Sequence, residues 1–152
     1  MNMNKSIPNS LASLDETFEN YFVKKAPALP QDIKEVIVKF GPWITLVLGL
    51  MSIPVILPLL GLGAVLSPVA AMMGARYGMT YNISLVLTLI STILMFISIP
   101  NLLTRSMAGW NMLFYSVLVG FLASLFGYNF LGALISGVIS LYILYQIKSM
   151  YK

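Results

Sequence analysis

Serine, threonine and glycine residues recur every four positions in three apolar stretches of the chain. Residues four apart lie on the same face of a helix, so each series predicts one narrow stripe. Such a stripe allows close helix packing in a bilayer, with hydroxyl groups bonding across the contact, or lines a path for a small uncharged solute. The candidate residues are Ser84, Thr88 and Thr92, then Ser116, Gly120 and Ser124, then Gly132, Ser136 and Ser140.

Side chains suited to catalysis or metal binding are absent from the same stretches. The chain contains no cysteine and no histidine, which excludes thiolate chemistry and imidazole metal sites. Ion-coupled transporters and intramembrane hydrolases use ionisable groups at membrane depth, and these stretches hold none. We therefore expect no enzyme activity, no cofactor and no metal. The acidic residues all precede residue 40: Asp15, Glu16, Glu19, Asp32 and Glu35.

The composition places these stripes on membrane helices. Only 9% of the residues are charged and the mean hydropathy is +0.88, values typical of integral membrane proteins. Charge-free runs cover residues 40–75, 77–104 and 106–147, and a crossing needs about 20 apolar residues. The first two runs each hold one crossing and the third holds two. The prediction is an all-α membrane protein with four transmembrane helices, at about 43–60, 81–99, 109–126 and 130–147.

Residues 61–78 separate the first two spans; the part up to Ala75 is apolar, but glycine and proline interrupt it. This segment is too short to cross the bilayer comfortably. Three interpretations stay open: an extension of the first helix, a segment lying in the outer interface, or a re-entrant segment that dips into the bilayer.

Residues 1–40 form a separate amphipathic region that precedes the transmembrane domain, residues 41–152. Ser13 to Glu16 matches a capping box, which predicts a helix start, and the prolines of residues 26–30 end that helix. A second helix is expected from about Gln31 to Phe40, with the first span opening at Pro42. The region either lies in the membrane interface or serves as an arm that binds a partner.

The basic residues predict the orientation. Four crossings place both termini and the loop 99–111 on one side, with eight of the nine Lys and Arg residues; Arg76 alone lies opposite. The positive-inside rule then makes that side cytoplasmic, in the plasma (inner) membrane. Trp43, Trp110 and Arg105 are expected as inner-interface anchors, and Arg76 as a snorkelling residue or a gate. Lysines that anchor the cytoplasmic side explain the net charge of +4, so this charge does not predict a nucleic-acid partner.

Several short patterns follow one another along the chain, most of them between residues 25 and 152: a charged N-terminal helix, a Pro-Trp entry to the first span, Ile-Pro before a short loop, Gly-Trp at the next entry, and Tyr-Ile-Leu-Tyr-Gln-Ile-Lys near the end. In these patterns the chain resembles small, uncharacterised bacterial inner-membrane proteins with four spans. The resemblance implies no activity and no site.

Together these features predict a non-enzymatic integral membrane protein that acts as an oligomerising, accessory or scaffold component. Its partners would be the lipid bilayer and either further copies of itself or another membrane protein. The alternative is a facilitator or channel for a small uncharged solute. In that case the kinked first span, residues 61–78 and the hydroxyl stripes would form the path.

Overall fold

The computed structural model describes the backbone of residues 9–57 and 68–152, and the side chains of these residues except 9–11, 55 and 68–82. Every element in these ranges is a helix, and four helices are long and apolar enough to cross a membrane. The predicted all-α fold with four spanning helices is confirmed. The elements are α1 (Asn9–Glu19), its π-helical continuation (Asn20–Lys25), α2 (Gln31–Ile56), α3 (Pro68–Leu103), α4 (Met107–Phe126), α5 (Phe130–Ile147) and a final 3₁₀ turn (Lys148–Met150).

The first spanning helix, α2, begins at Gln31 and continues through Pro42. The predicted break between a helix ending at Phe40 and a span opening at Pro42 is absent. Proline inside a helix removes one backbone hydrogen bond, and membrane helices tolerate this where neighbouring groups compensate. Here Pro42 is buried among the packed helices. The predicted cap at Ser13 is also absent, because α1 already begins at Asn9.

Helix α3 is longer than its predicted span of 81–99. Its 36 residues extend for about 54 Å at 1.5 Å per residue. Of the segment 61–78, the part from Pro68 onward is therefore helical and continuous with the second span, while residues 58–67 lie outside the described residues. Pro100 does not end the helix, which reaches Leu103, and Thr104 N donates to the Pro100 carbonyl at 3.3 Å.

Two three-residue connections, 104–106 and 127–129, join the last three helices. In the first, Ser106 N donates to the Asn101 carbonyl at 2.9 Å and Arg105 N to the Leu102 carbonyl at 3.0 Å, which is a Schellman motif. The second repeats this pattern around Tyr128. Each motif needs one residue with positive φ, supplied by Arg105 (52°) and Tyr128 (60°). The chain thus reverses sharply without a glycine in the left-handed position.

The helices pack in sequence order, α2 on α3, α3 on α4 and α4 on α5. Between 22 and 39% of the residues in each spanning window are buried, and the rest are half-buried or exposed. The outward faces carry large apolar side chains, such as Met51 (69% exposed) and Leu131 (72% exposed). Exposed apolar surface on this scale needs lipid around it. The protein is an integral membrane protein.

One end of the bundle holds the main hydrophobic core, and we call it the capped end. Residues 9–30, here called the arm, fold over this end. Lys152 reaches the first connection, where its N–H donates to the Arg105 carbonyl at 3.0 Å and its carbonyl accepts from Met107 N at 2.7 Å. The arm, the connection 104–106 and residue 152 therefore meet at one end. The buried core residues there are Val38, Leu102, Trp110, Phe114, Leu144, Tyr145, Ile147 and Tyr151.

Candidate functional site

Helices α3 and α4 are joined by a reciprocal pair of serines. Ser91 Oγ donates to the Ser116 carbonyl at 2.8 Å, and Ser116 Oγ donates to the Ser91 carbonyl at 2.9 Å. One turn along α4, a Cβ on Gly120 would lie 3.1 Å from Ser91 Oγ, so glycine permits the close approach. Farther along the same contact, away from the connection 104–106, Ser84 Oγ donates to the Ala123 carbonyl at 2.7 Å. The structure thus brings three candidate residues, Ser84, Ser116 and Gly120, into one helix contact.

Three other candidate hydroxyls bond the carbonyl four residues earlier on their own helix; they are Thr88, Thr92 and Ser124. Thr92 also lies 3.1 Å from Ser52 Oγ, where α2 meets α3. Beside it, a Cβ on Gly49 would lie 3.0 Å from Phe96 Cζ. Small residues on α2 therefore allow the same close packing as those on α3.

The stripe on α5 differs because it faces outward. Ser136 is exposed, Gly132 and Ser140 are half-buried, and Ser136 Oγ donates to the Gly132 carbonyl at 2.7 Å. The adjoining face, with Gly137, packs against α4, where an added Cβ would lie 2.8 Å from Phe121 Cδ2. One small-residue face of α5 is therefore buried inside the protein, and a second lies at the protein surface.

An open cleft of about 240 Å³ lies where α3, α4 and α5 meet. Four candidate residues line it, two from α4 and two from α5, together with Ser91. The hydroxyl hydrogens of Ser91, Ser116 and Ser136 are bonded to main-chain carbonyls, so they do not point into the cleft. The four candidate residues are Ser116, Gly120, Ser136 and Ser140.

At the capped end, Trp110 lies inside the protein rather than at the lipid interface expected from its place at a span entry. It is 2% exposed, and its Nε1 donates to the Leu144 carbonyl at 2.9 Å. Its ring stacks on Phe114 at 5.4 Å and meets the edge of Tyr145 at 5.5 Å. Phe18 of the arm contacts the same cluster, 6.0 Å from Tyr145. Trp110 is therefore a core residue that joins α4 to α5.

Polar groups on α5 hold the arm. Gln146 is 3% exposed; its Nε2 donates to the Phe22 carbonyl at 2.7 Å and its Oε1 accepts from Leu29 N at 3.1 Å. One turn earlier, Tyr142 Oη donates to the Pro27 carbonyl at 2.7 Å. These two side chains thus bond main-chain groups at three points between residues 22 and 29 and hold the end of the arm against α5.

A charge cluster completes the attachment of the arm. Lys148 Nζ lies 2.9 Å from Asp15 Oδ2 and 3.4 Å from Glu19 Oε2. Tyr145 Oη donates to the other Asp15 oxygen at 2.6 Å. The ammonium group also lies 5.0 Å above the Trp110 ring, a cation–π distance. Asp15 therefore has both of its oxygens bonded to α5 and the turn that follows it.

The remaining predicted anchors occupy different environments. Arg105 pairs with Glu35 of α2 at 2.9 Å, and both side chains are about half exposed. Burial raises the pKa of the nearby Tyr151, while the positive charge of Arg105 opposes that rise. Trp43 is 60% exposed on the outer face of α2. The side chain of Arg76 lies outside the described residues.

Four residues that form these contacts are not among the candidates predicted from the sequence. Ser91 follows Ser84 by seven residues, a helical repeat that would have revealed it. Gly49 and Ser52 lie three residues apart on α2, a spacing that also places two residues on one helix face. Gln146 is an amide at the end of an otherwise apolar helix, and a buried amide in that position needs partners. Each of these residues could thus have been singled out from the sequence, but the residue that it contacts could not.

Comparison with protein-family models, with curated proteins and with solved structures finds no match for this chain. Among the residues that the structure describes, no three carboxylate side chains are grouped so that they could hold a metal ion. A function for the chain is therefore inferred from its own helix contacts and surfaces.

Proposed function

We propose that this integral membrane protein is a non-enzymatic scaffold or accessory component that assembles with a second copy of itself through α5. The outward stripe of Gly132, Ser136 and Ser140, next to the open cleft, carries the proposal. By contrast, Ser84 and Ser116 are engaged in helix contacts within the protomer.

The physics of lipid supports this use of the stripe. Apolar side chains gain little by leaving acyl chains for another helix, so association needs close backbone approach and dispersion contact. Small residues provide that approach. A stripe on one helix can also face its own copy across a two-fold axis, which makes it self-complementary. The large apolar side chain of Ile139 lies about 60° around α5 from Ser136, is 53% exposed in one protomer and would add contact area beside the stripe.

The capped end of the protein is proposed to lie in the cytoplasm of a bacterial cell. Basic side chains collect there, including Arg105, Lys148 and Lys152, and the positive-inside rule favours that side. Arg105 and Lys148 also form ion pairs, with Glu35 and Asp15, so their charges contribute to holding the capped end together. No feature of this end requires a nucleic-acid partner.

Cysteine crosslinking tests the assembly cleanly, because the chain has no native cysteine. Ser136→Cys and Ile139→Cys, oxidised in native membranes, are expected to give a disulfide-linked dimer. Leu134→Cys is the matched control, since Leu134 is 57% exposed but lies about 160° around α5 from Ser136. Met51→Cys is a second control on α2. We expect dimer yields at least tenfold higher at 136 and 139 than at either control; equal yields would contradict the proposal.

The cleft supports a second candidate function, a facilitator for a small uncharged solute. Its hydroxyl-bearing walls are the observation in favour. Flux of glycerol and urea into liposomes that contain the wild type and Ser136→Leu tests it directly. A facilitator would show wild-type flux above that of empty liposomes and a loss of that flux in the variant. Wild-type flux equal to that of empty liposomes would exclude this function.

A further inference from the structure

A groove of about 570 Å³ separates the arm from α5, on a different face of that helix from the stripe of Gly132, Ser136 and Ser140. This volume lies within the ~300–1,000 Å³ of small-molecule sites. Tyr21 and Phe22 form part of the wall on the arm side, and Val138 and Tyr142 form the wall on α5.

The interior of the groove is apolar. Five of its eight lining residues carry no polar side-chain group, and two of its three hydroxyl groups donate within the protein, Tyr142 Oη to the Pro27 carbonyl and Thr17 Oγ1 to the Ser13 carbonyl. An occupant therefore gains apolar contact there. Val138 lies nine residues before the end of α5, about 13 Å along its axis, so the groove extends from the capped end toward the membrane-spanning part.

Two lysines lie between the wall residues Phe22 and Ala26 in the sequence. Lys24 and Lys25 end the π-helical segment and both are exposed. Lys25 Nζ lies 4.6 Å above the ring of Tyr21, which is itself a wall residue. Among the described residues neither lysine forms an ion pair, whereas Lys148 is bonded to two carboxylates. A lysine ammonium against the wall of an apolar groove, with a second exposed lysine beside it in the sequence, matches a phosphate joined to an acyl chain.

We propose that this groove binds an anionic phospholipid, with an acyl chain along Val138 and Tyr142 and the headgroup phosphate at Lys24 and Lys25. The docked arm creates the site, because it supplies one wall and both lysines. Lipid binding here does not depend on self-assembly through the other face of α5.

Native mass spectrometry of the detergent-purified protein, titrated with phosphatidylglycerol or phosphatidylcholine, tests the headgroup contact. The wild type is expected to retain one phosphatidylglycerol at least fivefold more strongly than phosphatidylcholine. The double variant Lys24→Gln and Lys25→Gln should lose this preference. The matched control, Lys34→Gln with Lys39→Gln, removes the same charge from α2 and should keep it. Equal retention of the two lipids by the wild type, or the same loss in the control, would overturn the proposal.

Filling the groove tests the acyl-chain contact. Val138→Trp should abolish retention of both lipids, while Leu134→Trp, one turn away and outside the groove, should retain phosphatidylglycerol as the wild type does. Val138 is 47% exposed, so its replacement leaves the core intact. Retention of lipid by Val138→Trp, or a bound polypeptide in place of lipid, would overturn the proposal. Because the Ser136→Cys crosslink reports a different face, either proposal can fail while the other stands.

Discussion

Ser91 and Ser116 each donate a hydroxyl hydrogen to the main-chain carbonyl of the other, at 2.8 and 2.9 Å, across the contact between α3 and α4. Both donors are satisfied, and Ser116 is only 1% exposed. The pair therefore joins two membrane helices without presenting a hydroxyl hydrogen to lipid. It also places Gly120, one turn from Ser116, against Ser91.

Removing one member of the pair should weaken the bundle measurably. Ser116→Ala is expected to lower the free energy of unfolding by roughly 0.5–1.5 kcal/mol, the range of interhelical hydrogen bonds in membrane proteins. Ser124→Ala is the control, because the Ser124 hydroxyl bonds the Gly120 carbonyl on its own helix. Unfolding by SDS in mixed micelles measures both, and equal losses would contradict the role of the pair.

Two glycines should respond to alanine with opposite signs. A Cβ on Gly109 would lie 2.6 Å from main-chain atoms of Asn101 and Leu102, so Gly109→Ala should cost about 1–3 kcal/mol, the range for overpacking. No atom lies within 4 Å of a Cβ on Gly41, inside α2. Gly41→Ala should therefore stabilise the helix by about 0.5–1 kcal/mol. The same SDS unfolding assay distinguishes the two; a stabilising Gly109→Ala would show that α3 and α4 are less closely packed.

Gln146 should determine whether the arm stays bound. Gln146→Leu leaves the Leu29 N–H and the Phe22 carbonyl without this partner, and for these partly buried groups the cost is at most about 1–3 kcal/mol each. Hydrogen exchange in residues 12–30 should then rise at least tenfold, while exchange in the α3–α4 contact stays unchanged.

Glu35→Gln is the control for the arm. It breaks the ion pair with Arg105, whose members are about half exposed, and such pairs contribute at most about 1 kcal/mol. Exchange in residues 12–30 should remain at the wild-type rate. An equal rise in both variants would show that the arm responds to any change at the capped end.

The left-handed turn at Tyr128 offers a stabilising change. Its φ of 60° is unfavourable for a side chain with a Cβ, and glycine is preferred in that position of a Schellman motif. Tyr128→Gly should raise the free energy of unfolding by about 0.5–1 kcal/mol. Gly127→Ala should not, since its φ is negative and a Cβ would lie 3.1 Å from Ser84 Oγ. Unfolding by heat or by SDS measures the change. If Tyr128→Gly shows no gain in the free energy of unfolding, the left-handed conformation of Tyr128 is not strained.

The sequence was sufficient to predict the four spans and the faces that carry small residues. Long charge-free runs leave few alternatives, because burying an ionised side chain in lipid costs so much. Four-residue spacing likewise places Ser116 and Gly120 on one face, whatever the partner helix.

Partners across the bundle could not be predicted in this way. Periodicity gives a face but does not give the neighbour, so the contacts of Ser91 and the burial of Trp110 required the structure. The continuity of α2 through Pro42 also depends on packing, which local rules for proline do not include. Gln146 bonds a carbonyl 124 residues away, beyond any local pattern.

The ion pair between Asp15 and Lys148 has a consequence for biosynthesis, because its members are 133 residues apart. At about 5–20 residues per second, a ribosome makes Asp15 of the arm about 7 to 27 seconds before it makes Lys148. During that time Phe18 and Phe22 have no site to occupy. A docked arm therefore marks a chain in which α5 has been synthesised, and a protease that cleaves the free arm would distinguish it from a chain that still lacks α5.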